Sequence, residues 1–324
     1  MPPITYIQAI TDGLREEMQR DDSVFMLGED IGVYGGAFKV TKGFLDEFGP
    51  DRVIDTPLAE SAIIGMSIGA ALMGLRPVAE MQFADFISCA FNQVVNNAAK
   101  IHYRWGASVP ITIRCPSGGG VHGGPFHSQN NEAWFFHTPG LKVVAPATPY
   151  DAKGLIKAAI RDPNPVLFFE HKFLYRRIKE ELPEEDYVVP IGEAEIKREG
   201  RDITIVTYGS MVHTSLEAAG TLSNEGVEVE VIDLRSLMPF DKDRILQSVQ
   251  KTNRVLVVHE DTKTGGIGGE ISAIIAEEAF EQLDAPILRV AAIDTPVPYS
   301  PPLEEFFLPN TDKVTEALRK LAAY

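Results

Sequence analysis

The sequence predicts an α/β protein built from two parallel-sheet domains. Three observations carry that expectation. Short apolar runs rich in β-branched residues alternate with segments whose apolar residues recur at helical spacing, the mark of helical crossover connections between parallel strands. The alternation is broken once, by the charged stretch from His171 to Pro190 with a further proline at 183, which reads as a linker. At 324 residues the chain also has the length of two ordinary domains. These observations place the domains at residues 1–185 and 186–324.

Taken in order, Ile7, Ile10, Leu14 and Met18 predict a helix between Thr5 and Arg20, and the strand-like run Val24 to Leu27 then meets Gly28-Glu29-Asp30. Val53-Ile54-Asp55 precedes a helix from Glu60 to Met73, and Pro77 to Met81 precedes one long helix from Phe86 to about Tyr103. Ile111 to Arg114 leads into a glycine-rich loop, Val143-Val144 into a helix over Asp151 to Ile160, and Val166 to Phe169 closes the series. In the second domain, strands are expected over Ile203 to Tyr208, Val227 to Ile232, Arg254 to His259 and Ile287 to Ala291. Helices are expected over Met211 to Ser223, Lys242 to Val249, Gly269 to Leu283 and, after a proline-rich turn, Asp312 to Ala322. There is no repeat of fixed period and no low-complexity tract.

A formal net charge of -16 argues against nonspecific attraction to nucleic acid or anionic lipid and suits a basic partner domain. The two cysteines, Cys89 and Cys115, lack the spacing of a disulfide framework or a zinc site, which fits a reducing compartment. No stretch approaches the roughly 20 apolar residues of a membrane span, and the first residues lack a basic region followed by an apolar core. A cytoplasmic location is therefore expected. A removed mitochondrial presequence would leave no trace, so a matrix location stays open beside it.

Glu60 opens a helix whose remainder, Ala62 to Met73, carries no charge. A first-turn carboxylate ordinarily satisfies helix amides and the helix dipole. The alternative is a carboxylate held in an apolar pocket, where burial lets it share a proton with a ligand nitrogen. The uncharged helix behind it favours the pocket. Glu80 to Phe86 leaves a strand at the edge where open α/β sheets bind ligands; Gln82 offers hydrogen bonds, and Phe83 and Phe86 offer flat faces that core packing would explain equally well. The loop from Pro116 to Gln129 holds five glycines, His122 and His127 but has neither a P-loop ending nor a dinucleotide fingerprint. Its histidines are either solvated or acid–base groups working near neutrality. Asp162-Pro163-Asn164-Pro165 is a plain turn or, beside free helix-end carbonyls, a hard-cation site. The cluster Gly265 to Gly269 reads as a tight turn.

Several blocks together resemble the β subunits of the decarboxylating component of 2-oxo acid dehydrogenase complexes. They are Leu27 to Asp30 with Gly35-Gly36, Asp55 to Glu60, Glu80 to Phe86, His127-Ser128-Gln129, Pro149 to Leu155 and Val231 to Arg235. The resemblance runs nearly end to end. It implies a pyrimidine-binding domain followed by a transketolase C-terminal-like domain, paired with α subunits in an α2β2 heterotetramer that holds thiamine diphosphate. The Gly-Asp-Gly motif that usually binds the magnesium diphosphate does not occur here, so the resemblance gives Mg2+ to the α subunit.

By the same resemblance, Glu60 engages the aminopyrimidine ring, Phe86 packs on it, and Glu29, Leu58, Ala59 and Gln82 line the cofactor pocket. Phe83, Ala84, Asp85, Phe86 and His127 face the substrate, with His127 handling protons as the acyl group passes to the lipoyl arm of the acyltransferase component. Ile111, Ala159, Ile160, Asp162 and Asn164 match a structural potassium site. Asp284 and the C-terminal carboxylate of Tyr324 match a docking point for the basic subunit-binding domain of the acyltransferase. The Glu80 to Phe86 block and Leu318 to Leu321 resemble branched-chain members more than pyruvate members. A pyruvate or acetoin enzyme, and a non-catalytic interaction subunit, are the alternatives.

Overall fold

The computed structural model describes residues 2–324, which divide into two compact units. The first comprises residues 2–117 and 134–191, the second residues 118–133 and 192–324. The glycine-rich segment thus groups with the second unit, out of chain order.

The first unit begins with β1 (Ile4–Thr5) and α1 (Tyr6–Arg20), whose start is fixed by a capping box between Thr5 and Gln8. Next come β2 (Val24–Gly28), α2 (Phe44–Phe48), β3 (Val53–Asp55), α3 (Glu60–Leu72), β4 (Arg76–Glu80) and α4 (Ala99–Trp105). The unit continues with β5 (Thr112–Ser117), the short α5 (Ala133–Phe136), β6 (Lys142–Val144), α6 (Pro149–Arg161), β7 (Val166–His171) and β8 (Lys179–Glu180). Its sheet is wholly parallel in the order β6-β7-β5-β4-β2-β3. Central strands buried on both faces need apolar residues throughout, which is why they read as continuous runs rather than alternations. Ile10, Leu14 and Met18 of α1 join Leu155 and Ile156 of α6 in one core, as the helical spacing predicts.

Two expectations need correction here. The segment after β4 is not one regular helix: a 3₁₀ stretch (Ala84–Ala90) passes through a π-helical stretch (Gln93–Ala98) into α4. Side-chain amides pair along the widened turn, Asn96 with Asn92 at 2.8 Å and Asn97 with Gln93 at 2.6 Å. The stretch from His171 to Pro190 is not simply a linker, because Leu174 and Tyr175 are buried in the first core and β8 pairs antiparallel with β1.

In the second unit β9 (Glu195–Arg198), β10 (Ile203–Thr207), α7 (Met211–Ser223), β11 (Val229–Asp233), β12 (Ser236–Met238), α8 (Lys242–Thr252) and β13 (Val255–Thr262) are followed by α9 (Gly268–Glu278), β14 (Leu288–Ala292), α10 (Pro301–Phe307) and α11 (Thr311–Ala322). The sheet order is β14-β13-β10-β11-β9, parallel except for β9, which pairs antiparallel with β11. Val314, Leu318 and Leu321 of α11 pack with Ala218 and Leu222 of α7 over the strands. Among the described residues no helix is long and apolar enough to cross a membrane.

Candidate active site

Because the first sheet is parallel, Glu29, Thr56 to Glu60 and Met81 to Phe86 all leave it at one edge. The chain runs from β2 outward to β3, but from β4 it runs the opposite way to β5. Diverging loops above β2 and β4 leave a crevice between them, the place where open α/β sheets bind ligands. Glu29 follows β2 and Gln82 follows β4. Gln82 Nε2 donates to Asp30 Oδ2 at 3.2 Å across that crevice.

Two carboxylates are buried here, Glu29 and Glu60, at 5% and 8% exposure. Glu60 is the first residue of α3, whose N-cap, Ala59, supplies no side-chain acceptor. Burial pushes the Glu29 carboxyl upward, and the charges of Glu60 and then Asp30 push it the same way. The Ala59 amide offsets part of that rise, yet neither Glu29 oxygen has a well-formed hydrogen bond. A buried carboxyl without a good donor is costly unless something else fills the space beside it. Leu58, two residues before Glu60, is 79% exposed.

Phe83 and Phe86 meet edge to face at 5.7 Å, and Phe38 extends the cluster at 5.4 Å from Phe83. Ala84 and Asp85 are buried beside them, and the Lys172 ammonium lies 5.6 Å from the Phe83 ring. Below the crevice, the Arg114 guanidinium bridges Glu80 and Glu170, all three fully buried. Burial raises both carboxyls, and Arg114 counteracts it. Sequence reading missed this triad, though its signal was present: a charge in each of three apolar strands that turn out to be neighbours.

In the second unit, the half-buried His127 follows a 3₁₀ turn (Gly124–Phe126), its amide donating to Gly124 O at 3.3 Å. The loop is closed at its base by Gly118 N donating to Gln129 O at 3.1 Å. Gly124 has φ +68°, and an added Cβ would lie 2.4 Å from the Tyr299 ring, so only glycine fits. Glu260 at the end of β13 accepts from Gly119 N, Asn130 Nδ2 and Ser210 Oγ, each at 2.7 Å. Nearby, burial pushes the Glu132 carboxyl up to about 8, helped by the charge of Asp261.

The proposed cation ligands gather at the end of α6. Arg76 donates to the Ile160 and Asp162 carbonyls at 2.8 and 3.2 Å, the Ile111 carbonyl accepts from Val166, the Ala159 carbonyl accepts from the Asp162 amide, and the Asn164 amide donates to the Asp162 side chain. Among the described residues no group of three or more His, Cys, Asp or Glu side chains is placed to hold a metal ion.

Residues 2–177 match the transketolase pyrimidine binding domain, and residues 192–314 match the transketolase C-terminal domain. The chain is 56% identical to the 2-oxoisovalerate dehydrogenase subunit beta of Bacillus subtilis (strain 168) over 100% of both chains. The chain belongs to the β subunits of the thiamine-diphosphate-dependent 2-oxo acid dehydrogenases. Another family member, the pyruvate dehydrogenase E1 component subunit beta of the same organism, is 49% identical, again over 100% of both. A 2-oxoisovalerate dehydrogenase subunit beta 2, mitochondrial, of Arabidopsis thaliana is 47% identical across 98% of this chain and 88% of its own. The solved split gene transketolase described as an inactive beta4 tetramer superposes with TM-score 0.81 at 24% identity, covering 99% of this chain and 98% of that one, which shows the shared fold.

Proposed function

We propose that this β subunit, with an α subunit in an α2β2 heterotetramer, oxidatively decarboxylates branched-chain 2-oxo acids and passes the acyl group to the lipoyl arm of an acyltransferase. The carrying observation is the buried pair Glu29 and Glu60 at the crevice above β2 and β4, one of them short of hydrogen-bond donors. That environment fits an aminopyrimidine ring: a carboxyl to share a proton with its ring nitrogen, and the Phe86 face for its plane. When bound, thiamine diphosphate supplies the carbanion that adds to the 2-oxo carbon and stabilises the charge left by departing carbon dioxide.

In this reading Glu60 holds and returns a proton at the pyrimidine, with Glu29, Leu58, Ala59 and Gln82 lining the ring. Phe83, Ala84 and Asp85 exclude water on the substrate side, and His127 moves a proton during acyl transfer. Mg2+ and the diphosphate fall to the α subunit. Potassium at Ile111, Ala159, Ile160, Asp162 and Asn164 belongs to the same proposal, and would share two carbonyls with Arg76. The basic subunit-binding domain of the acyltransferase is assigned to Asp284 and Tyr324, both exposed, and the compartment to the cytoplasm.

The test is co-expression with candidate α chains and measurement of carbon dioxide release from 3-methyl-2-oxobutanoate and pyruvate, and of acetaldehyde release from acetoin. Thiamine-dependent release that needs both chains and is fastest with the branched acid is expected. Preference for pyruvate would reassign the substrate, and a stable complex without release would favour an interaction subunit. Glu60→Gln is expected to lower release by about 10²-fold or more while leaving assembly intact. Near-normal turnover would remove its role.

A further inference from the structure

His127 sits on a loop rich in glycine, and such a backbone has no intrinsic reason to hold one conformation. Its order must be imposed from outside. The loop is held at its base by Glu260, as described above, and its stretch from Gly120 to His122 is held by one side chain from near the C-terminus. Glu304, in α10, is 1% exposed. Its Oε1 accepts from Gly120 N at 3.0 Å, and its Oε2 accepts from His122 N at 3.2 Å. The same Oε2 lies 2.6 Å from His122 Nδ1. All these groups lie within the second unit.

Three N–H groups converging on one buried carboxylate form a clamp rather than a chance contact. Hydrogen bonds to a charged group are about twice as strong as neutral ones, and a buried carboxylate deprived of them would bear its desolvation cost alone. The clamp fixes a backbone that side-chain packing cannot fix. An added Cβ at Gly119 would lie 3.3 Å from the Glu304 carboxylate, so the loop threads against α10 with no room to spare. Tyr299, just before α10, closes the second side by packing against Gly124, three residues before His127.

We infer that Glu304 is a positioning residue for His127, clamping the glycine-rich loop so that the imidazole is presented in one place for acyl transfer. This deepens the proposed function and rests on the role given there to His127. Glu304 touches no reacting atom in this account. It acts only through the loop amides and His122.

The test uses the assembled α–β complex with four variants, Glu304→Ala, Glu304→Gln, His127→Ala and the double variant Glu304→Ala with His127→Ala. Hydrogen exchange of the Gly120 and His122 amides reads the clamp directly. Acylation of a lipoyl domain and decarboxylation with an artificial electron acceptor, measured in parallel, read its consequence. Glu304→Ala is expected to speed exchange at both amides about tenfold or more. It is also expected to slow lipoyl acylation about tenfold, with decarboxylation within about twofold of the parent. Adding it to His127→Ala should cost nothing further in acylation, since both changes remove the same contribution. Glu304→Gln, which keeps an acceptor for Gly120 but loses the charge facing His122, should fall between. It also keeps the test decisive if the alanine variant folds poorly.

Unchanged exchange at Gly120 and His122 in both Glu304 variants would overturn the clamp. Faster exchange with additive losses in the double variant would overturn the positioning role. If His127→Ala itself left acylation intact, the function proposed for His127 would fall, while the exchange data would still decide whether Glu304 holds the loop.

Discussion

Glu132 shows how burial turns one residue into a pH-dependent element of stability. Its carboxyl is 3% exposed beside Asp261 and Glu260, and burial first, then the Asp261 charge, raises it from 4.5 to about 8. The folded protein therefore keeps a proton there that the unfolded chain has released, and stability falls as pH rises through that window. Asp261, raised from 3.8 to about 6, has the same sign but completes its change lower. Between pH 6 and pH 8 Glu132 dominates, at a limit of about 1.4 kcal/mol per pH unit. Glu132→Gln cannot ionise, so its melting temperature relative to the parent should climb by several degrees across that interval. A constant difference at all pH values would show that Glu132 is already ionised. The pattern was invisible in sequence, where Glu132 is one acid among 46 acidic residues.

At the scale of elements, α3 is the clearest case of a helix built for company. It is nearly uncharged, and its outer face leaves Met66 54% and Leu72 44% exposed, followed by Met73 at 84%. A surface helix normally turns polar residues outward, and a contiguous apolar patch marks an interaction site. The helix that presents Glu60 on one side thus presents an unpartnered apolar face on the other. In the assembly proposed, the α subunit is its occupant. Met66→Glu should weaken co-purification with the α chain about tenfold or more while leaving the β chain's circular dichroism and melting unchanged. Full recovery of the complex with Met66→Glu would place the α contact elsewhere. The Glu60 to Met73 expectation matched α3 to within one residue, whereas the expected helix after it breaks into 3₁₀, π and α pieces. Periodicity reports which face is apolar, but the apolar and polar residues of a 3₁₀ or π turn read in sequence like those of an α-helix.

The whole molecule is strongly acidic, with pI about 4.9. Long-range fields of that sign steer basic partners and are screened by salt. Association with the basic subunit-binding domain assigned above should therefore slow about tenfold or more as salt is raised from low to physiological ionic strength. A rate indifferent to salt would remove electrostatic steering from the account. The same measurement with Asp284→Asn tests whether the steering has a local focus.

The sequence by itself determined the alternation of strands and helices, the mainly parallel character of both sheets, and the blocks that carry the family. These depend on local periodicity and short motifs, and buried parallel strands declare themselves as apolar runs. The burial of Glu60 was legible because an uncharged helix behind one carboxylate is a local anomaly. Only the tertiary structure decided that the buried Glu29 carboxyl is short of hydrogen-bond donors, that Arg114 is shared by Glu80 and Glu170, and that the loop bearing His127 belongs with the second unit and is held by Glu304. Each of those depends on which strands become neighbours, or on a side chain more than a hundred residues away in the chain. A carboxylate's partner is chosen by folding, and nothing within a few residues of Glu304 states that its acceptors would be filled by a glycine loop.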